Sequence, residues 1–173
     1  TMSPAGVLTG VEPGAVRVVA VDNAGRRYTT DGVVNVRGMG LTAGSGSTFP
    51  NLGVSVPVTV TSVSGLGIRS GQFTLTFNGA LLTATGVTTP AGTLLDGWGP
   101  VQFGTSSGTC TVGFAGGSDL AGSGTLCFLQ FAAGATAGST SLTVTQGLFN
   151  ETLPAKTTNG SISVQSIPAI SIS

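Results

Sequence analysis

Gly53 to Phe77, GVSVPVTVTSVSGLGIRSGQFTLTF, is the stretch whose reading decides the fold. Val54, Val56, Val58 and Val60 alternate with Ser55, Pro57, Thr59 and Thr61. After a glycine-rich turn, Phe73, Leu75 and Phe77 alternate with Gln72, Thr74 and Thr76. A period of two in β-branched and aromatic residues predicts strands, because successive side chains on a strand point to opposite faces. Each strand then has one apolar face and one hydroxyl-rich face, as in one leaf of a β-sandwich.

Composition extends this reading outward. The chain has 173 residues, of which 29 are glycine and 8 proline. They fall between strand-like runs at fairly regular intervals, which is turn punctuation for an all-β fold. No stretch of ten or more residues carries convincing helical periodicity. Charged residues make up only 7%, against about 25% in ordinary globular chains. Six basic and six acidic residues give a formal net charge of zero. That argues against a nucleic-acid partner and against an anionic membrane surface, both of which need a basic patch. No apolar run approaches the roughly 18 residues of a membrane span, so membrane insertion is not expected. With a mean hydropathy of +0.43 and no net charge, self-association is poorly opposed. The start at Thr1-Met2, with no leader visible, reads as a mature chain or an excerpt.

Catalysis has little to work with. There is no histidine, which removes the commonest general base, the Ser-His-Asp triad and most zinc sites. Asp22 and Asp31 flank Arg26-Arg27 and read as solvated hairpin residues; Asp96 and Asp119 read as turn formers. No clustered Asp/Asn/Gly loop suggests calcium. The expectation is a non-enzyme without cofactor or metal.

Two cysteines, Cys110 and Cys127, lie in TCTVGFA and TLCFLQF, with Gly116 to Asp119 near the midpoint between them. If the two runs form a hairpin, the cysteines fall about opposite each other and share the parity of Val112, Phe114, Leu129 and Phe131. A cross-strand disulfide is the expectation, which implies an oxidising compartment; two buried free thiols are the alternative. Trp98, in a Gly/Pro-rich turn, is the one plausible sugar contact, against a role capping the end of the sandwich. Two sequons, Asn150-Glu151-Thr152 and Asn159-Gly160-Ser161, would accept glycans in an exported chain.

Four regions are expected. Residues 1–40 hold seven of the twelve charges and read as strand, turn, strand; residues 41–52 read as a linker; 53–165 as the main β-sandwich; 166–173 as a terminal strand. The pattern Gly6-Val7-Leu8-Thr9-Gly10-Val11, Pro13-Gly14, then Val16, Val18 and Ala20 resembles the C-terminal half of bacterial immunoglobulin-like domains of group 2. The tail resembles the first strand of such a domain. Over about 120 residues the main region resembles the cohesin family. The resemblance rests on GVSVPVTV, on Gly71-x-Phe73-x-Leu75-x-Phe77-Asn78 running into Leu81-Leu82, on Gly124-x-Leu126-x-x-Leu129-x-Phe131, and on Asn159-Gly160-Ser161-Ile162-x-Val164. It implies a jelly-roll sandwich of about nine strands that binds a dockerin-like module. The chain has Asn78 where the family usually has Asp, and it is poor in charge.

These features set the functional expectations. The first is an extracellular, cell-surface building block assembling head to tail with other copies of itself. In that scheme the terminal strand (Ile167, Ile170, Ile172) completes acceptor strands at Val7, Val11, Val16, Val18, Val34 and Val36 by β-strand addition. The alternatives are a dockerin-binding module and a carbohydrate-adhesion module that contacts a glycan through Trp98.

Overall fold

A computed structural model describes residues 14–16, 19–21, 24–29, 34–36 and 38–166. The chain divides into two compact units, Thr1–Gly38 and Met39–Ser173.

The first unit contains strands β1 (Gly14–Val16), β2 (Val19–Val21), β3 (Arg27–Thr29) and β4 (Val34–Val36). β1 pairs antiparallel with β4, Val16 opposite Val34 and Gly14 opposite Val36. β2 pairs antiparallel with β3, across a turn in which Gly25 takes a φ of 79°. Three of the expected acceptor residues, Val16, Val34 and Val36, thus lie on one ladder and pair with this unit's own backbone. Val7, Val11 and Val18, and the expected donor residues Ile167, Ile170 and Ile172, lie outside the described residues.

Among its described residues the second unit carries twelve strands in chain order: β5 (Gly40–Ala43), β6 (Gly46–Thr48), β7 (Gly53–Val60), β8 (Ile68–Thr76), β9 (Leu82–Thr88), β10 (Val101–Ser106), β11 (Thr109–Leu120), β12 (Gly124–Ala133), β13 (Gly138–Phe149), β14 (Leu153–Pro154), β15 (Lys156–Thr158) and β16 (Gly160–Val164). One sheet runs β10-β11-β8-β13-β16-β6, with β14 attached to β13; the other runs β15-β5-β7-β12-β9. Their inner faces meet in one core. Ile68, Phe73, Leu75, Val112, Phe114, Leu142, Phe149 and Ile162 come from the first sheet. Leu41, Val56, Val58, Val60, Leu82, Leu126, Leu129 and Phe131 come from the second. The alternation of Val56, Val58 and Val60, and of Phe73 and Leu75, is therefore the burial pattern of the two facing leaves. Fully burying side chains of this size stabilises by roughly 1.5–3 kcal/mol each relative to exposure. Phe77 closes one side, edge-on to Phe131 at 5.3 Å between ring centroids.

Two expectations are corrected here. Residues 41–52 are not a linker: they hold β5 to Ala43, all of β6, and the turn that follows. Leu41 and Ala43 are buried, and β5 pairs with β7. Then the chain changes sheets at Gly44-Ser45, and β6 pairs in parallel with β16. The small residues that look like spacer are what lets one strand belong to both leaves. At the change, the Gly44 N–H donates to the Pro57 carbonyl at 2.8 Å, and the Ser161 N–H donates to Ser45 Oγ at 3.0 Å. A Cβ on Gly160 would collide with the Gly44 and Ala43 carbonyl oxygens.

The second correction concerns the cysteines. β11 and β12 are not a hairpin. β11 lies between β10 and β8 in the first sheet; β12 lies between β7 and β9 in the second. The Gly116–Asp119 segment does not turn. It stays within β11 as an irregularity between Ala115 and Leu120, and the chain crosses between leaves at Ala121 to Ser123, with Gly122 at a φ of 101°. Cys110 and Cys127 are therefore free, buried thiols on opposed sheets. The expected cross-strand disulfide is replaced by the alternative reading.

Candidate functional site

Among the described residues no three or more His, Cys, Asp or Glu side chains gather where they could hold a metal ion. The surface with the most organised geometry is the outer face of β10, β11, β8 and β13. Because Phe73 and Leu75 point inward, Gln72, Thr74 and Thr76 point outward. The antiparallel register then sets Thr109 and Thr143 on either side of Thr76, and Thr111 and Gln146 on either side of Thr74. Thr74 and Thr111 share a hydroxyl–hydroxyl hydrogen bond of 3.0 Å, which confirms that they occupy one face. β10 adds Gln102 opposite Gly113 and Gly104 opposite Thr111. The centre of this face is thus made of hydroxyl, amide and glycine positions, able to donate and accept hydrogen bonds across its width, with the charged Arg69, Asp119 and Glu151 confined to one end.

At the β8 and β13 end of this face lies a shallow depression of about 280 Å³ lined by Ser70, Gly71, Gln72, Gln146, Leu148 and Glu151. Leu148 is the apolar component and Glu151 the acidic rim. Asn150 holds this corner in place. Its Oδ1 accepts from the Arg69 N–H at 2.8 Å and the Ser70 N–H at 3.2 Å; its Nδ2 donates to the Gly67 carbonyl at 2.8 Å. Asn150 also sits at a φ of 46°, a backbone region that asparagine tolerates better than most residues. Nearby, Arg69 Nε meets Asp119 Oδ1 at 2.7 Å, both largely exposed, a pairing of the kind worth at most about 1 kcal/mol. Asn150→Ala removes all three side-chain bonds and is expected to cost about 1–2 kcal/mol. Chemical denaturation checks this; a midpoint equal to wild type would contradict it.

The remaining sequence-predicted positions are scattered. Asn159 is exposed on the loop before β16, and its Oδ1 accepts from the Val144 N–H at 3.0 Å, just beyond the last β13–β16 pair, Leu142 and Gly160. Both sequon asparagines thus have structural hydrogen bonds, and the Asn150 side chain is the more fully committed. Trp98 is half-buried. Its ring lies edge-on to Phe114 at 6.1 Å and rests on Gly116, where a Cβ would come within 2.7 Å of the indole. Its buried Nε1 has no hydrogen-bond partner. Packing over the end of the sandwich accounts for this position. Burial pushes the Cys110 thiol up to about 11, a backbone hydrogen bond with Leu75 working against it. Burial, with a smaller contribution from Cys110, pushes Cys127 up to about 12. Protonated thiols sealed in apolar surroundings are poor nucleophiles and poor metal ligands.

Sequence reasoning missed the threonine face. The outward parity of Gln72, Thr74 and Thr76 was visible, but not that β11 and β13 would flank β8 in matching register.

Residues 39–164 match the Cohesin domain family, and the chain belongs to that family. Solved structures agree on the fold. The sixth cohesin of scaffoldin B from Acetivibrio cellulolyticus, solved in complex with a Cel5 dockerin, superposes with a TM-score of 0.63 at 20% identity, covering 75% of this chain and 100% of that one. A non-cellulosomal cohesin from the archaeon Archaeoglobus fulgidus gives 0.63 at 19% identity, covering 75% and 93%. A cohesin of Clostridium acetobutylicum gives 0.59 at 23%, covering 73% and 90%. No curated protein sequence matches the chain. Among the described residues no helix is long and apolar enough to cross a membrane.

Proposed function

We propose that residues 39–164 form a non-catalytic docking module, placed outside the cell, that receives a dockerin-like protein module on the outer face of β10-β11-β8-β13. The observation that carries this reading is that face itself: broad, uncharged at its centre, and furnished with Thr74, Thr76, Thr109, Thr111, Thr143 and Gln146 in register. Family membership supplies the class of partner, and the A. cellulolyticus cohesin was solved with a dockerin bound. With no charge at the centre of the face, and Glu151 and the Arg69–Asp119 pair only at one end, recognition rests on shape, hydrogen bonds and the Leu148 depression more than on electrostatic steering. Complex formation should accordingly change little between low and high salt.

Isothermal titration against a panel of dockerin modules, the Cel5 dockerin included, tests the reading. Thr74→Arg combined with Thr111→Arg puts two long cations at the centre of the face and is expected to weaken binding at least 100-fold. Thr59→Arg, on the outer face of the opposite sheet, should leave it within a factor of two. No binding across the panel, or equal loss in both variants, would remove this function from this face.

A further inference from the structure

The four edges of the two sheets in residues 39–166 are not protected alike. β6 has three residues and runs into Pro50. β15 has three residues, begins with Lys156 and follows Pro154 closely. β9 is longer, but its pairing with β12 is broken by an irregularity between Gln130 and Phe131. Short length, lysine, proline and bulges are the devices by which edges avoid pairing with another chain. β10 has none of them within the strand, although Pro100 stands directly before it. It is six residues, VQFGTS, without charge or proline, and it pairs with β11 in unbroken register.

The register shows which backbone groups are open. The Ala115 N–H donates to the Pro100 carbonyl, and the Phe77 N–H to the Gly108 carbonyl. By alternation in an antiparallel ladder, Gln102, Gly104 and Ser106 direct their backbone groups at β11. Val101, Phe103 and Thr105 direct theirs at the open edge, and among the described residues β10 has no other strand partner.

We propose that the β10 edge is a self-pairing surface whose occupant is β10 of a second copy of this chain. The three outward-facing residues are arranged symmetrically about Phe103. A two-fold axis there sets Phe103 opposite its own copy and Val101 opposite the copy's Thr105. Every open N–H and C=O of the three is then matched, each pair exchanging both bonds. The partly buried Val101 and Phe103, which pack against the core from its margin, gain apolar cover from their counterparts. A net charge of zero and an uncharged strand leave no repulsion to overcome. The dimer would carry one continuous sheet with two copies of the threonine face side by side.

Sedimentation equilibrium of the full chain, from about 10 µM to 1 mM, tests the proposal. The apparent mass should rise from 16.9 kDa towards twice that value. Thr105→Pro removes one open N–H and the bond from Thr105 Oγ1 to the Thr109 carbonyl, while leaving the backbone bonds of the β10–β11 ladder in place, at an edge position that tolerates proline. It should hold the mass at the monomer value while keeping the wild-type dockerin titration. Should Thr105→Pro lower the melting temperature, Gln102→Lys with Gly104→Lys serves instead, because it sets lysines opposite one another across the axis; the mass alone is its readout, since both positions belong to the outer face proposed to receive the dockerin. A wild-type chain that stays monomeric to 1 mM, or a dimer that persists in a folded variant, overturns the proposal. Neither result bears on dockerin binding.

Discussion

Gly160→Ala is expected to destabilise the sandwich by about 3 kcal/mol or more, near the upper end for an added methyl group. A Cβ at this position would meet not a flexible side chain but the carbonyl oxygens of Gly44 and Ala43. Those carbonyls cannot retreat. Gly44 is held by its N–H to the Pro57 carbonyl, and a Cβ on Gly44 would itself come within 2.8 Å of Pro57. On the other side, Ser161 is tied to Ser45 through its N–H. The only relief is to push β16 away from β6, which breaks their parallel pairing. For a domain of this size the melting temperature should fall by about 10 °C. Calorimetry checks this, with Gly113→Ala as the control because nothing lies within 4 Å of a Cβ there. Equal shifts in the two variants would show that close approach at Gly160 is not the cause.

The second large effect is alkaline. Both core thiols are protonated in the folded chain, with pKa values raised to about 11 and about 12 from an ordinary value of 9.0. Below pH 9 folded and unfolded chains both keep these protons, and the thiols contribute no pH dependence. Above pH 9 the unfolded chain releases them while the folded chain holds on, so stability falls as pH rises. Each thiol contributes a slope of about 1.4 kcal/mol per pH unit in this window, or roughly 4 kcal/mol for the pair between pH 8 and 10.5. Guanidinium denaturation at the two pH values measures the loss, and Cys110→Ala with Cys127→Ala should abolish most of it. At pH 8 neither thiol should react with a disulfide reagent until the protein unfolds. Rapid labelling of the native protein, or an identical pH loss in the double alanine variant, would contradict this account.

How much of this was legible in the sequence depended on whether the signal was local. The period of two at Val54–Val60 and Phe73–Phe77 is a property of neighbouring residues, and it gave the sandwich and the inward faces correctly. The cohesin resemblance was legible for the same reason, since its motifs lie on such strands. Parity also placed both cysteines indoors. Which sheet each belongs to is a long-range property, and there the Gly116–Asp119 run misled. Glycine, serine and aspartate usually mark a turn, but here they sit in an irregular stretch of β11, with Asp119 engaged by Arg69. The crossing was left to Ala121–Ser123. Likewise Gly40–Thr48 looked like spacer, because a strand that changes sheets must be built from small residues and lacks an extended alternation. The threonine face escaped notice because it is assembled from three strands distant in sequence.

The strand shared between the two leaves also fixes when the domain can be finished. Ser45 meets Ser161, a residue 116 positions away, and among the described residues β6 has no partner in its sheet other than β16. β6 must therefore wait for β16, more than a hundred residues further along the chain. Closing so long a loop costs entropy that only the completed pairing recovers. Until Gly160–Val164 emerges, the nascent chain carries an unpaired β6 and an open Gly138–Leu142 edge on β13, the period in which it most needs protection from its neighbours.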